Sequence, residues 1–147
     1  VKVLYADTSV LIRAYLKDEA DHRQLRAGIL EGPDAVVTSE LARVEFASAV
    51  RAAAQAARVG EQKELLDHFD ADCQPEARIR LIELRADTVL ASAYRLVLEH
   101  RLRTLDAVHL AVALEERDGL AELAEMAFVT RDADQAMAAR ALGFEVR

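Results

Sequence analysis

Four carboxylates stand out in the chain by type and by place. Asp7 follows a short apolar run, in Tyr5-Ala6-Asp7-Thr8-Ser9. Asp132 follows another, in Phe128-Val129-Thr130-Arg131-Asp132. Asp106 opens a helical pattern in Arg103-Thr104-Leu105-Asp106-Ala107. These three have a second explanation. Aspartate is a preferred helix N-cap, and acids in a first turn complement the helix dipole. Glu45 has no such explanation. It lies inside the helical pattern Ser39 to Arg58, with Leu41, Ser48 and Ala49 one turn away and Ala52 beyond. Burying a carboxylate without a partner costs several kcal/mol. Either an arginine pairs with it or it meets a cation. Asp106 shares a helix face with Leu102, His109, Leu110 and Ala113, so it too is expected to point inward. Converging carboxylates without a cation repel, and some take up protons. A hard divalent ion removes that conflict, and Mg²⁺ and Mn²⁺ prefer carboxylate and water oxygens. An acid-only site open to water suits phosphodiester hydrolysis. The metal makes a hydroxide-like nucleophile, aligns it with the leaving oxygen and neutralises developing charge.

The elements that would position these acids alternate strand and helix. Lys2 to Ala6 is a short strand and Asp7-Thr8-Ser9 a helix-start cluster. Helical spacing follows over Val10 to Lys17 and Asp21 to Glu31, then a turn at Gly32-Pro33-Asp34. Ala35 to Thr38 is a buried-type strand, Ser39 to Arg58 an alanine-rich helix, and Glu61 to Asp72 another helix after Gly60. Arg78 to Leu84 is a strand, and Thr88 to His100 and Leu105 to Asp118 are helices. Gly119 to Met126 is weakly helical, Ala127 to Thr130 a strand, Asp132 to Leu142 a helix and Phe144 to Val146 a last strand. This alternation implies an α/β fold with a parallel sheet covered on both faces. Such a sheet places its chemistry outside the carboxyl ends of its strands.

Composition narrows the class. At 147 residues the chain is about one domain, with 52% hydrophobic and 31% charged residues. No apolar run approaches the roughly 18–20 residues of a bilayer span. The N-terminal segment reads as a strand and lacks the order of a signal peptide, so a cytoplasmic location is expected. Cys73 is the only cysteine, which excludes an internal disulfide and a cysteine zinc site. A net charge of −7 argues against nonspecific duplex binding but leaves room for a local basic groove.

These residues resemble the PIN-domain nucleases, and among them the VapC-type toxins of bacterial toxin–antitoxin pairs. The resemblance is carried by Tyr5-Ala6-Asp7-Thr8-Ser9, by Thr38-Ser39-Glu40-Leu41-Ala42-Arg43-Val44-Glu45, by Leu105-Asp106-Ala107-Val108-His109-Leu110-Ala111 and by Val129-Thr130-Arg131-Asp132. Each block alone is weak; together, in order and at these separations, they are fairly specific. The resemblance implies one PIN-like domain over 1–147, a three-layer α/β/α fold with a five-stranded parallel sheet. It implies a Mg²⁺-dependent endoribonuclease, with Mn²⁺ as substitute, cutting single-stranded or looped RNA. Asp7, Glu45, Asp106 and Asp132 would form the acidic quartet around the metal, and a hydroxyl close behind the first Asp would assist. Thr8 and Ser9 both fit that place, with Ser9 preferred. It further implies a homodimer and a cognate antitoxin that blocks the site.

Nearby residues have plainer alternatives. Arg13, Arg43, Arg103 and Arg131 lie close to the acidic blocks and could contact phosphates or simply be solvated. His109 stands one turn after Asp106, where an inward histidine, either bonded to Asp106 or packed under the sheet edge, is the simpler reading than a catalytic one. Glu40 is expected to be structural beside a capping Ser39, Asp134 a spare acid, and Cys73 a packing or surface residue. The alanine-rich helix and its successor are candidates for a protein interface. An aspartyl-phosphate mechanism on Asp7 is disfavoured, because Ser9 stands where a second aspartate belongs and no lysine follows Lys63. No glycine-rich phosphate loop follows the first strand. A catalytically inactive binding module and a housekeeping RNA-processing nuclease remain as rivals.

Overall fold

The structure, a computed structural model, describes residues 2–120 and 125–147. Five parallel strands form one sheet: β1 (Val3–Ala6), β2 (Ala35–Ser39), β3 (Ile79–Ile82), β4 (Met126–Val129) and β5 (Glu145–Val146). Their spatial order is β3-β2-β1-β4-β5. The chain therefore builds outward from β1 to β3, then crosses back to add β4 and β5 on the other side. The switch of direction falls between β1 and β4, where open parallel sheets leave a crevice at the strands' carboxyl ends.

Alternation along β1 sends its side chains to two separate cores. Leu4 and Ala6 join Val36, Ile79, Ala127 and Val129 on one face. There α1 (Thr8–Tyr15), α3 (Leu41–Gln55) and α4 (Gln62–Asp72) cover the sheet through Val10, Leu11, Phe46, Val50 and Phe69. Tyr5 turns to the opposite face with Val37 and Phe128, its partners in the strand register. That face is covered by α5 (Ala86–Glu99), α6 (Thr104–Asp118) and α7 (Ala133–Ala141). The seven consecutive residues Ala107 to Ala113 are all buried, which embeds α6 almost all round.

The structure refines the expected boundaries. The helix expected over Asp21 to Glu31 is a short α2 (His22–Leu25) that widens into a π turn over Arg26–Leu30. Gly28 sits inside that turn, where its lack of a Cβ weakens regular helix. The weak helix expected over 119–126 falls largely on 121–124, outside the described residues. Gly119 caps α6, and Met126 already belongs to β4. Among the described residues no helix is long and apolar enough to cross a membrane.

Candidate active site

Each acid reaches the carboxyl edge of the sheet through a different element. Asp7 is the first residue after β1 and N-caps α1, its Oδ2 accepting the Ser9 N–H at 3.1 Å. Asp132 N-caps α7, its Oδ1 accepting the Gln135 N–H at 2.8 Å. Both caps expected at these aspartates are thus formed. Asp106 lies in the first turn of α6 without a capping bond. Glu45 is five residues into α3 and leans across to α1 and α6.

No arginine pairs with Glu45 among the described residues. Its Oε1 accepts the Thr8 hydroxyl at 2.9 Å and faces His109 Nε2 at 2.5 Å. Thr8 directly follows Asp7, and His109 Nε2 lies 3.9 Å from Asp7 Oδ1. The alternative of an arginine partner therefore fails, and Glu45 stands beside Asp7. His109 is packed inward, as one of the two expected alternatives has it, and bonds Glu45 rather than Asp106.

Tyr5 fixes the ring. Its hydroxyl accepts the Ser39 N–H at 3.2 Å and lies 2.8 Å from His109 Nδ1. Burial, reinforced by Asp7, holds the phenol's pKa well above its usual 10, so it stays protonated. In the neutral form of the ring, with the Tyr5 oxygen accepting from Ser39, the O–H would donate to Nδ1. In either the neutral tautomer or the charged ring, a proton on Nε2 faces Glu45. Burial works against charging His109, but Glu45, Asp7 and Asp106 outweigh it and hold its pKa above the ordinary value.

The remaining cross-links pass through Gln135, which sequence reasoning did not single out. Its buried amide donates to Asp7 Oδ1 at 3.2 Å and to the Asp106 carbonyl at 3.3 Å. Its oxygen accepts from Thr130, whose hydroxyl also accepts the Asp132 N–H. Asp132 followed by Gln135 has capping-box spacing, and that was the available signal. Tyr5 was also missed, since within an apolar strand it reads as core. Ser9 Oγ accepts the Arg131 N–H at 3.3 Å and so ties α1 to the turn before α7.

Arg103 is the cation at the acids. Its Nε lies 3.3 Å from Asp106 Oδ2 and its Nη2 3.6 Å from Asp132 Oδ2. Even so, partial burial, then Asp7 and Asp132, push the Asp106 carboxyl above its usual pKa. The other arginines are engaged elsewhere: Arg43 with Asp70, and Arg131 with Asp21 and the Thr130 carbonyl. Arg13 forms no ion pair among the described residues. Glu40 is structural as expected, its carboxylate accepting the Leu84 N–H at 2.9 Å while Ser39 Oγ accepts that of Leu41. Asp134 is exposed in the first turn of α7. Burial raises the Cys73 thiol to about 12, which leaves it unreactive.

Among the described residues, no three His, Cys, Asp or Glu side chains converge closely enough to ligate one ion as they stand. The hydrogen bonds explain why. Glu45 is turned to His109, Asp7 is held by Ser9 and Gln135, and Arg103 stands between Asp106 and Asp132. The donor chemistry nevertheless fits a hard divalent ion. The groups are carboxylates flanked by hydroxyls, the oxygen donors such an ion prefers.

The profile of the PIN domain matches residues 4–141. The chain belongs to the PIN domain family. That match takes in all four acids and every strand except β5. No curated protein matches the chain. Among solved structures, it is similar to Mycobacterium tuberculosis VapC20, described as a sarcin–ricin loop cleaving toxin. The TM-score is 0.68 at 19% identity, over 96% of this chain and 95% of that one. It is also similar to a toxin–antitoxin complex from Klebsiella pneumoniae, with a TM-score of 0.60 at 18% identity over 90% of each chain. A third is VapBC2 from Rickettsia felis, bound to a DNA fragment from its promoter. There the TM-score is 0.63 at 12% identity, over 99% of this chain and 97% of that one. At these identities the likeness is one of fold, and it spans the PIN domain from end to end.

Proposed function

We propose that this PIN domain is a divalent-metal-dependent endoribonuclease and the toxin of a VapC-type toxin–antitoxin pair, acting in the cytoplasm. The observation that carries the reading is the placement of Glu45. A half-buried carboxylate, unpaired by arginine, is held beside Asp7 by Thr8 and by a histidine from the helix of Asp106. A fold alone needs no such arrangement. The toxin assignment draws support from the VapC toxin and toxin–antitoxin complexes among the similar structures.

In this reading Asp7, Glu45, Asp106 and Asp132 hold Mg²⁺, or Mn²⁺ in its place. When bound, the ion supplies a hydroxide-like nucleophile at neutral pH and neutralises charge at the phosphate. The chain's own residues do the rest. Gln135 and the Ser9 N–H orient Asp7, Thr8 and His109 orient Glu45, and the Asp132 cap fixes α7 against the site. The Ser9 hydroxyl, beside Asp7 on α1, assists at the same edge. His109 is 1% exposed and committed to Tyr5 and Glu45, so it serves as a positioning residue rather than a general base.

The chain pairs with a second copy through α5. Leu90, Tyr94 and Leu98 lie one turn apart on that helix, 54%, 67% and 71% exposed. We place the dimer contact on α5 rather than on the alanine-rich helix because α3 turns Ala42, Phe46, Val50 and Ala53 into the core and exposes only Val44 among its large apolar side chains. A small antitoxin protein would cover the acidic edge.

The test is cleavage of total RNA with Mg²⁺ or Mn²⁺, with and without chelator, with the new ends mapped and a DNA substrate alongside. The chain should cut RNA at defined positions, and chelator should stop it. Asp7→Asn, Glu45→Gln and Asp106→Asn should each lower the rate at least about a hundredfold while remaining folded. Chelator-resistant cleavage, or full rates from these variants, would remove the quartet from the mechanism. Growth arrest on expression, relieved by the neighbouring small gene, separates a toxin from a housekeeping nuclease.

A further inference from the structure

The cation already present at the acids points to a role for a residue outside the quartet. Arg103 is the residue before α6, in extended backbone, and its side chain is 83% exposed. Its guanidinium bridges Asp106 and Asp132, which come from different helices. An exposed pair of this kind adds little stability and is readily given up. Arg43 and Arg131 are each bound to an aspartate outside the quartet. Arg103 alone among these neighbours takes its partners from the proposed metal ligands.

We propose that Arg103 is an exchangeable internal cation: it balances Asp106 and Asp132 in the metal-free chain and turns to an RNA phosphate once those acids hold a divalent ion. The proposal rests on the metal-dependent nuclease reading above. Two cations cannot share those oxygens without repulsion, and the dication has the stronger claim on paired carboxylates. The displaced guanidinium stays tethered three residues from Asp106, at the mouth of the site. Its planar fork suits two phosphate oxygens. On a chain of net charge −7, a positive group uncovered only by metal loading would admit RNA where it can be cut.

The role predicts opposite changes in two measurements on Arg103→Ala. Without RNA, Mn²⁺ should bind about three- to fivefold more tightly by calorimetry, because no guanidinium has to leave. With saturating Mn²⁺ and a short RNA substrate, KM should rise about tenfold while kcat moves little, because a phosphate contact is lost. Arg103→Lys keeps the charge but not the fork and should recover part of the KM. Arg101→Ala removes an equal charge two residues away and should leave the Mn²⁺ affinity within twofold of wild type. Weaker or unchanged Mn²⁺ binding in Arg103→Ala would overturn the exchange, and an unchanged KM would overturn the phosphate contact. The two readings fail separately. A wild-type chain that neither binds Mn²⁺ nor cuts RNA sinks the nuclease. One that does both, while Arg103→Ala matches it in each assay, sinks only this inference.

Discussion

Glu45 stays at the edge of a packed core because its partners are arranged for it. Ser39 N–H, Tyr5 O–H and His109 form a relay that ends on its carboxylate. Tyr5→Phe removes the middle link and strands a buried N–H and a buried ring nitrogen. It should lower stability by about 1–3 kcal/mol in urea unfolding. It should also slow RNA cleavage, because Glu45 loses its fixed support. Asp106 gives a second prediction, with a sign set by pH. Partial burial, then Asp7 and Asp132, raise its carboxyl, so the native state holds that proton more tightly than the unfolded chain. The stability gained is full below the ordinary value of 3.8 and is lost as pH rises through the raised native value. At pH 7 the ionised group is a net burden. Metal-free Asp106→Asn should therefore melt about 1–3 °C above wild type while losing cleavage. A lower melting temperature would mean that the Arg103 contact outweighs the repulsion. At this scale the inward turn of Glu45 was legible, because a carboxylate among small apolar residues needs a reason. Gln135 and Tyr5 were not, because a neutral amide and a strand tyrosine carry no charge to account for, and their role appears only once α7 and α6 are packed.

The elements explain how four distant positions reach one edge of the sheet. β1 and β4 end side by side, and their following residues start α1 and α7. The buried helix α6 carries Asp106 and His109 one turn apart beneath the same edge. Strand and helix order could be read from the alternation of short apolar runs with amphipathic spacing. The π turn after α2 could not, since its residues fit a regular helix equally well. Nor could the outward face of α5, because apolar spacing marks a buried face and a partner-facing one alike. Leu98→Glu places a charge in the middle of that face. It should shift the chain from dimer to monomer in analytical ultracentrifugation and leave its melting curve nearly unchanged. A variant that sediments like wild type would take the dimer away from α5.

For the whole molecule, charge sets the terms on which the proposed RNA substrate would bind. At net −7 the chain repels a polyanion except where arginines, and in the proposed mechanism a divalent ion, oppose it locally. Few phosphates are then neutralised, and the slope of log affinity against log salt should be shallow, no steeper than about −2. A slope near −5 would contradict this and point to a broad basic surface.

The central claim is that the acids at the sheet edge take a divalent ion. Thermal unfolding in rising Mn²⁺ tests it without any substrate. Wild type should gain stability with Mn²⁺, approaching about 2.7 kcal/mol at a hundred times the dissociation constant. Glu45→Gln and Asp7→Asn should gain little. Melting curves that ignore millimolar Mn²⁺, or a Glu45→Gln variant that responds as fully as wild type, would contradict the account.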